Sequence, residues 1–231
     1  MAVPVHFRET KATQASRTAW TVWMLVALFG LYHVAYSDDP WFRWATGIPI
    51  LPLSDIRNLA FLMSVIRTAS QIWFGVYLCP YAIPFAFAMT IAGFNFLIDS
   101  LAIITALQNR TLFQPEYDYT VFAVFCLGIV LERLPEVQRA QFKAKSENKG
   151  KAHTSGLYSV VVHPNYLGYL VYRAAFLALG KVWQLQVLTA FTLLGFVFGD
   201  VQLQKQRNID KYGDEFKLYW DTTPKLLPGI F

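Results

Sequence analysis

Long apolar runs alternate with short polar breaks along most of this chain. A helix needs about 20 mostly apolar residues to cross a bilayer. Residues 19–36, 59–79, 85–107, 119–134, 166–180 and 185–199 are six runs of that kind, the last three somewhat short. Pro80 and Pro84 separate the second run from the third, and the GKVW stretch at residues 180–183 separates the fifth from the sixth. Proline and glycine at such places stop helices, by removing an N–H donor or freeing the backbone. The pattern predicts an all-α polytopic membrane bundle of about six or seven helices. A seventh would come from residues 48–53 or from a split within residues 59–107. The whole of 1–231 reads as one membrane domain.

Composition supports this reading. The 231 residues are 55% hydrophobic, 16% aromatic and 15% charged, against roughly 25% charged in soluble domains. Lys and Arg are not spread evenly over the two ends of the predicted helices. Fourteen fall in the segments before the first run, between the fourth and fifth, and after the sixth, whereas Arg43, Arg57, Arg110 and Lys181 fall on the other side. Cytoplasmic loops carry such an excess, so both termini are expected in the cytoplasm. The same distribution leaves no compact basic face for nucleic acid. Cys79 and Cys126 sit inside apolar runs and form no disulfide or metal-ligand spacing. No small-residue cleavage site follows the first run, which reads as a retained helix.

Ionisable side chains inside membrane segments mark functional positions, because an unpaired charge there is expensive. Arg67 and Asp99 fall within the second and third runs at depths that permit pairing, either as a structural lock or as part of a polar pocket with Gln71 and Asn95. Arg173 lies in the fifth. The histidines, His6, His33, His153 and His163, show no zinc spacing, and no P-loop, G-x-G-x-x-G turn or G-x-S-x-G elbow occurs. The HPN element at residues 163–165 starts the fifth helix. Proline fits the first helical turn, and the free N–H groups behind it, with the helix dipole, favour a polar or anionic ligand.

The stretch NKGKAHTSGLYSVVVHPNYLGYL, residues 148–170, resembles the C-terminal region of the steroid 5-alpha-reductase-like membrane proteins. The tail KYGDEFKLYWDTTPKLLPGIF, residues 211–231, is similar to the ending of the same family. Isoprenylcysteine carboxyl methyltransferases share a related plan. The resemblance implies a membrane enzyme, in the endoplasmic reticulum, acting on a hydrophobic small molecule, with 1–131 lining the substrate cavity and 132–231 carrying the cofactor or ligand site. NADPH-dependent reduction of a lipid-like enone is the leading expectation. S-adenosylmethionine-dependent methylation, a cofactor-independent isomerase or cyclase, and a non-catalytic membrane binding protein are the alternatives. Cofactor contacts implied by the motif are His163, Asn165 and Tyr166, with Asn148, Lys149 and Lys151 for a phosphate and Arg207, Asn208 and Tyr212 from the tail. Tyr169, Arg67, Asp99 and Arg173 are the expected acid–base or polarising groups; no metal is expected. Two positions depart from the pattern: Val162 replaces an arginine, and Tyr169 replaces a glutamate. The segment VQLQKQRN, residues 201–208, lacks the paired glutamates of the methyltransferases.

Overall fold

The computed structural model describes residues 11–39, 43–45, 55–110 and 112–229; the possible seventh helix at residues 48–53 lies outside them. Among the described residues the chain is helical, with no named strand. The helices are α1 (Gln14–Tyr36), α2 (Asp55–Trp73), α3 (Phe85–Asn109), α4 (Pro115–Ala144), α5 (Pro164–Ala178), α6 (Gln186–Gly195), α7 (Val201–Tyr212) and α8 (Asp214–Thr222). A wide π turn, Phe74–Leu78, extends α2. A second, Phe196–Asp200, joins α6 to α7 without a break.

Four helical stretches are long and apolar enough to cross a membrane: Gln14–Tyr36, Ile56–Leu78, Phe85–Asn109 and Trp183–Tyr212. The chain is therefore integral to a membrane. By the same measure α4 and α5 do not qualify, which is fewer spans than the apolar runs predict. α5 has only 15 residues. α4 carries Glu132, Arg133, Glu136 and Arg139 along its second half. The break expected after Leu134 is absent: α4 continues through Pro135 to Ala144. The sixth run also outlasts its apolar stretch, because the π turn passes it directly into polar α7.

The apolar faces pack in two clusters. Trp20, Met24, Phe74, Ile83 and Ile91 join α1, the first π turn and α3, and the Trp20 indole N–H donates to the Gln71 carbonyl at 2.7 Å. The larger cluster centres on Phe125 of α4 with Tyr172 and Phe176 of α5. Two glycines decide how closely α4 and α5 approach. A Cβ on Gly128 would overlap the Tyr172 backbone, and one on Gly168 would overlap the Glu132 backbone. Small residues at such crossings let helix backbones touch, and here they press Glu132 against α5. Phe29, Leu97, Phe191 and Phe198 point outwards, as hydrocarbon-facing side chains do. At one end of the bundle, buried Arg110 and Asp118 pair at 2.9 Å, and Arg110 also donates to the Leu179 carbonyl at 3.1 Å. The other end is open.

Candidate functional site

A cavity of about 910 Å³ occupies that open end. Its wall comes from the second half of α4, the loop at residues 145–163, the start of α5, and α7 with α8. Each part is placed by identifiable bonds. The tail lies beside the HPN element: Val162 N–H donates to the Pro224 carbonyl at 2.8 Å and His163 N–H to the Lys225 carbonyl at 3.0 Å. Pro164 occupies the first turn of α5, and His163 caps it in a non-helical conformation. Phe216 and Trp220 bury the inner face of α8, so the tail packs onto the bundle. His163 lies against Trp220, with ring centroids 5.9 Å apart.

The charged residues on α4 recur every three or four positions, which puts them on one face. That face turns its polar side to the cavity. Glu132 and Arg133 pair at 2.9 Å, and Arg133 Nε donates to Ser70 Oγ at 2.6 Å. Gln71 reaches Glu132 at 3.5 Å. Glu136 accepts from Arg139 Nε at 3.0 Å and from Asn165 Nδ2 at 3.1 Å. The start of α5 therefore faces a carboxylate of the protein itself. The Glu136 charge holds the Arg139 guanidinium firmly protonated despite burial. Lys143 Nζ donates to Tyr212 Oη at 3.1 Å and to the Lys151 carbonyl, tying the loop to α7.

His153 sits between Phe142 and Tyr158, at centroid distances of 4.7 and 5.2 Å. Neither of its ring nitrogens has a hydrogen-bond partner. Burial, then the charges of Lys143 and Arg139, lower its pKa below the ordinary histidine value. The imidazole is neutral at pH 7 and able to accept a proton. Burial raises the Tyr158 phenol well above its usual value, so that side chain stays protonated.

Of the residues expected to bind a cofactor, His163, Asn165, Arg207, Asn208 and Tyr212 line this cavity, as does Lys149. Asn148, Lys151 and Tyr166 do not. Asn148 donates to the Phe142 carbonyl at 2.9 Å and shapes the loop. Lys151 is exposed. Tyr166 is buried, stacks on Phe196 and accepts from Gln204. Glu132, Glu136, Arg139 and His153 line the cavity without having been picked out in the sequence. The recurrence of charge along residues 132–143 was the available signal. Among the described residues no three His, Cys, Asp or Glu side chains gather as metal ligands would.

The four expected acid–base residues lie elsewhere, within the bundle. Asp99 forms an ion pair with Arg67 at 2.7 Å and accepts from Arg173 at 2.5 Å. Arg173 also donates to Asn95 at 2.7 Å, reaches the Tyr169 hydroxyl at 3.5 Å, and lies over the rings of Tyr169 and Tyr172. All are buried. Arg67, Asp99, Arg173 and Tyr169 thus form one cluster, and none of them lines the large cavity.

A protein-family profile described as "Protein of unknown function (DUF1295)" matches residues 71–223. A protein of Ustilaginoidea virens named "Probable O-methyltransferase ustE" is 33% identical over 135 residues, covering 54% of this chain and 47% of the relative. The chain spans about half the length of that relative. No solved structure matches it.

Proposed function

We propose that this chain, which belongs to the DUF1295 family, is a membrane-embedded, S-adenosylmethionine-dependent O-methyltransferase of a hydrophobic acceptor. The observation that carries this reading is the 33% identity to a protein named as an O-methyltransferase. The donor set of the cavity is compatible with it. S-adenosylmethionine presents a sulfonium, an ammonium, a carboxylate and an aromatic base, and so needs both charges and ring faces. Glu132 and Glu136 offer negative charge on the α4 wall, and Lys143 and Arg207 offer positive charge. Phe74 and Tyr77 supply aromatic surface. When bound, the cofactor supplies an electrophilic methyl group.

The remaining steps belong to the protein. The walls of the cavity orient the acceptor and limit water, the larger share of many methyl transfers being a matter of proximity. His153 takes the hydroxyl proton on an imidazole nitrogen, its lowered pKa matching the neutral form to that task. The Lys and Arg bias supports a cavity open to the cytoplasm, where the cofactor is dissolved, and the resemblance to reductases and methyltransferases supports the endoplasmic reticulum.

One observation favours a second reading, NADPH-dependent reduction. Eight Lys and Arg side chains line the cavity against two glutamates, an excess suited to a phosphorylated cofactor. Thermal unfolding of the detergent-purified protein separates the two readings. A ligand at 100 times its dissociation constant adds about 2.7 kcal/mol, or roughly 5–11 °C for a chain of this size. Stabilisation by S-adenosylmethionine and S-adenosylhomocysteine is expected, with Glu136→Gln weakening both about tenfold. Stabilisation by NADPH alone would replace this reading with the reductase. Stabilisation by none would overturn both and leave a cofactor-independent enzyme.

A further inference from the structure

The buried cluster around Asp99 holds two guanidiniums against one carboxylate. Both arginines and Asp99 are almost fully enclosed, Arg67 and Asp99 at 0% and Arg173 at 2% exposure. Asn95 and Tyr169 accept hydrogen bonds from Arg173 and bring no charge. Among the described residues this cluster thus carries one positive charge in excess where a bilayer would surround the bundle, and such charges are normally paired. The hydrogen-bonding capacity is unfilled as well: Arg173 Nε has no partner.

Arg173 also reaches a second cavity. A niche of about 40 Å³ lies between α3, α5 and α6, lined by Phe94, Ile98, Arg173, Leu188, Phe191 and Thr192. Its walls are apolar except for Arg173 and one hydroxyl, and Thr192 Oγ1 is already committed to the Leu188 carbonyl. Phe191 and Leu97 beside it are largely exposed, so the niche opens towards hydrocarbon and not towards the large cavity. Arg173 lies eight residues beyond Asn165, about 12 Å along the helix. At about 10–15 Å³ per water-sized probe, the niche admits a group of three heavy atoms. A carboxylate fits; a phosphodiester with its glycerol does not.

We infer that Arg173 and this niche form a lipid-side binding site for the carboxylate of a long-chain amphiphile, entering laterally between α3 and α6. A planar carboxylate matches the guanidinium fork, and the chain would lie along Leu188, Phe191 and Phe94. Binding neutralises the excess charge of the cluster. The site is independent of the cofactor that the large cavity takes.

The test uses the full chain in dodecyl maltoside, with radiolabelled dodecanoate and dodecanol as probes. Saturable binding of one dodecanoate per chain is expected, with dodecanol at least tenfold weaker. Leu188→Trp fills the niche from its lipid side without touching the ion cluster. It should weaken dodecanoate at least tenfold while leaving the unfolding temperature and the response to S-adenosylmethionine unchanged. Arg173→Met should abolish the preference for dodecanoate over dodecanol. Absence of saturable binding to the unaltered chain, equal affinity for the alcohol, or undiminished binding to a folded Leu188→Trp protein would each overturn the site. Because no cofactor is added in the binding measurements, failure of the methyltransferase reading leaves the result interpretable.

Discussion

Replacing Asp99 by Asn removes the one negative charge shared by Arg67 and Arg173 while preserving shape and one acceptor oxygen. The carboxylate lies 2.7 Å from one guanidinium nitrogen and 2.5 Å from the other. With charge centres about 4 Å apart and an effective dielectric of about 20, each pair interacts by roughly 4 kcal/mol. Part of that offsets the cost of desolvating the ions. Breaking a buried pair by removing one partner costs about 3–5 kcal/mol, because a charge is left uncompensated. At roughly 2–4 °C per kcal/mol for a chain of this length, Asp99→Asn should lower the unfolding temperature by about 6–20 °C. Tryptophan fluorescence during a thermal ramp in detergent reads this directly. Adding Arg67→Met to Asp99→Asn removes one of the two stranded charges, so the double variant should be more stable than the sum of the single effects predicts. An Asp99→Asn protein that unfolds within 2 °C of the unaltered chain would refute the argument that this carboxylate balances the buried arginines.

Three other outcomes follow from the same geometry. Gly168→Ala places a methyl group against the Glu132 backbone, an overpacking cost of about 1–3 kcal/mol; an unchanged unfolding temperature would show that α4 and α5 can separate freely. The His153 pKa is lowered in the folded protein, so its contribution is fully present above the unfolded value of about 6.5 and is lost as pH falls from there through the folded value. Unfolding temperatures from pH 8 to pH 5 should decline less steeply in His153→Gln. Lys143→Met removes the bonds to Tyr212 and to the Lys151 carbonyl, which should speed proteolysis within residues 145–156 and weaken S-adenosylmethionine about tenfold; equal cleavage rates would mean that the loop is held by other contacts.

Much of the fold could be read from the apolar runs, because a lipid-facing helix must be apolar over its length. All six expected runs are helical, and the break at Pro80 and Pro84 falls where the missing donors required it. The pairing of Arg67 with Asp99 was also legible, since charges at similar depth in adjacent helices have few other partners. Arg173 joining the same carboxylate was not, because that depends on how α3 and α5 cross. The extension of α4 past Leu134 was obscured by Pro135 and by charge, which by composition resembles a linker. Only the fold shows that Glu132, Glu136, Arg139 and Lys143 share a face turned to a cavity. His163 and Asn165 of the HPN element line the cavity, yet Glu136 beside Asn165 could not be foreseen without the α4–α5 contact that Gly168 allows.

The π turn at Phe196–Asp200 has a consequence for how this architecture can vary. A π turn holds one residue more than an α-helical turn, and each residue advances an α-helix by 100°. Deleting one residue there would restore regular winding and leave everything downstream facing as before, because the wide turn and an α-helical turn each close one circle. Gln204, Arg207, Asn208 and Lys211, which line the cavity, would keep their places, whereas the same deletion at the regular start of α7 would swing them aside by about 100°. The seam is thus a buffer: it takes up one residue of difference in length between the membrane helix and α7 without exchanging the side chains that face the cavity.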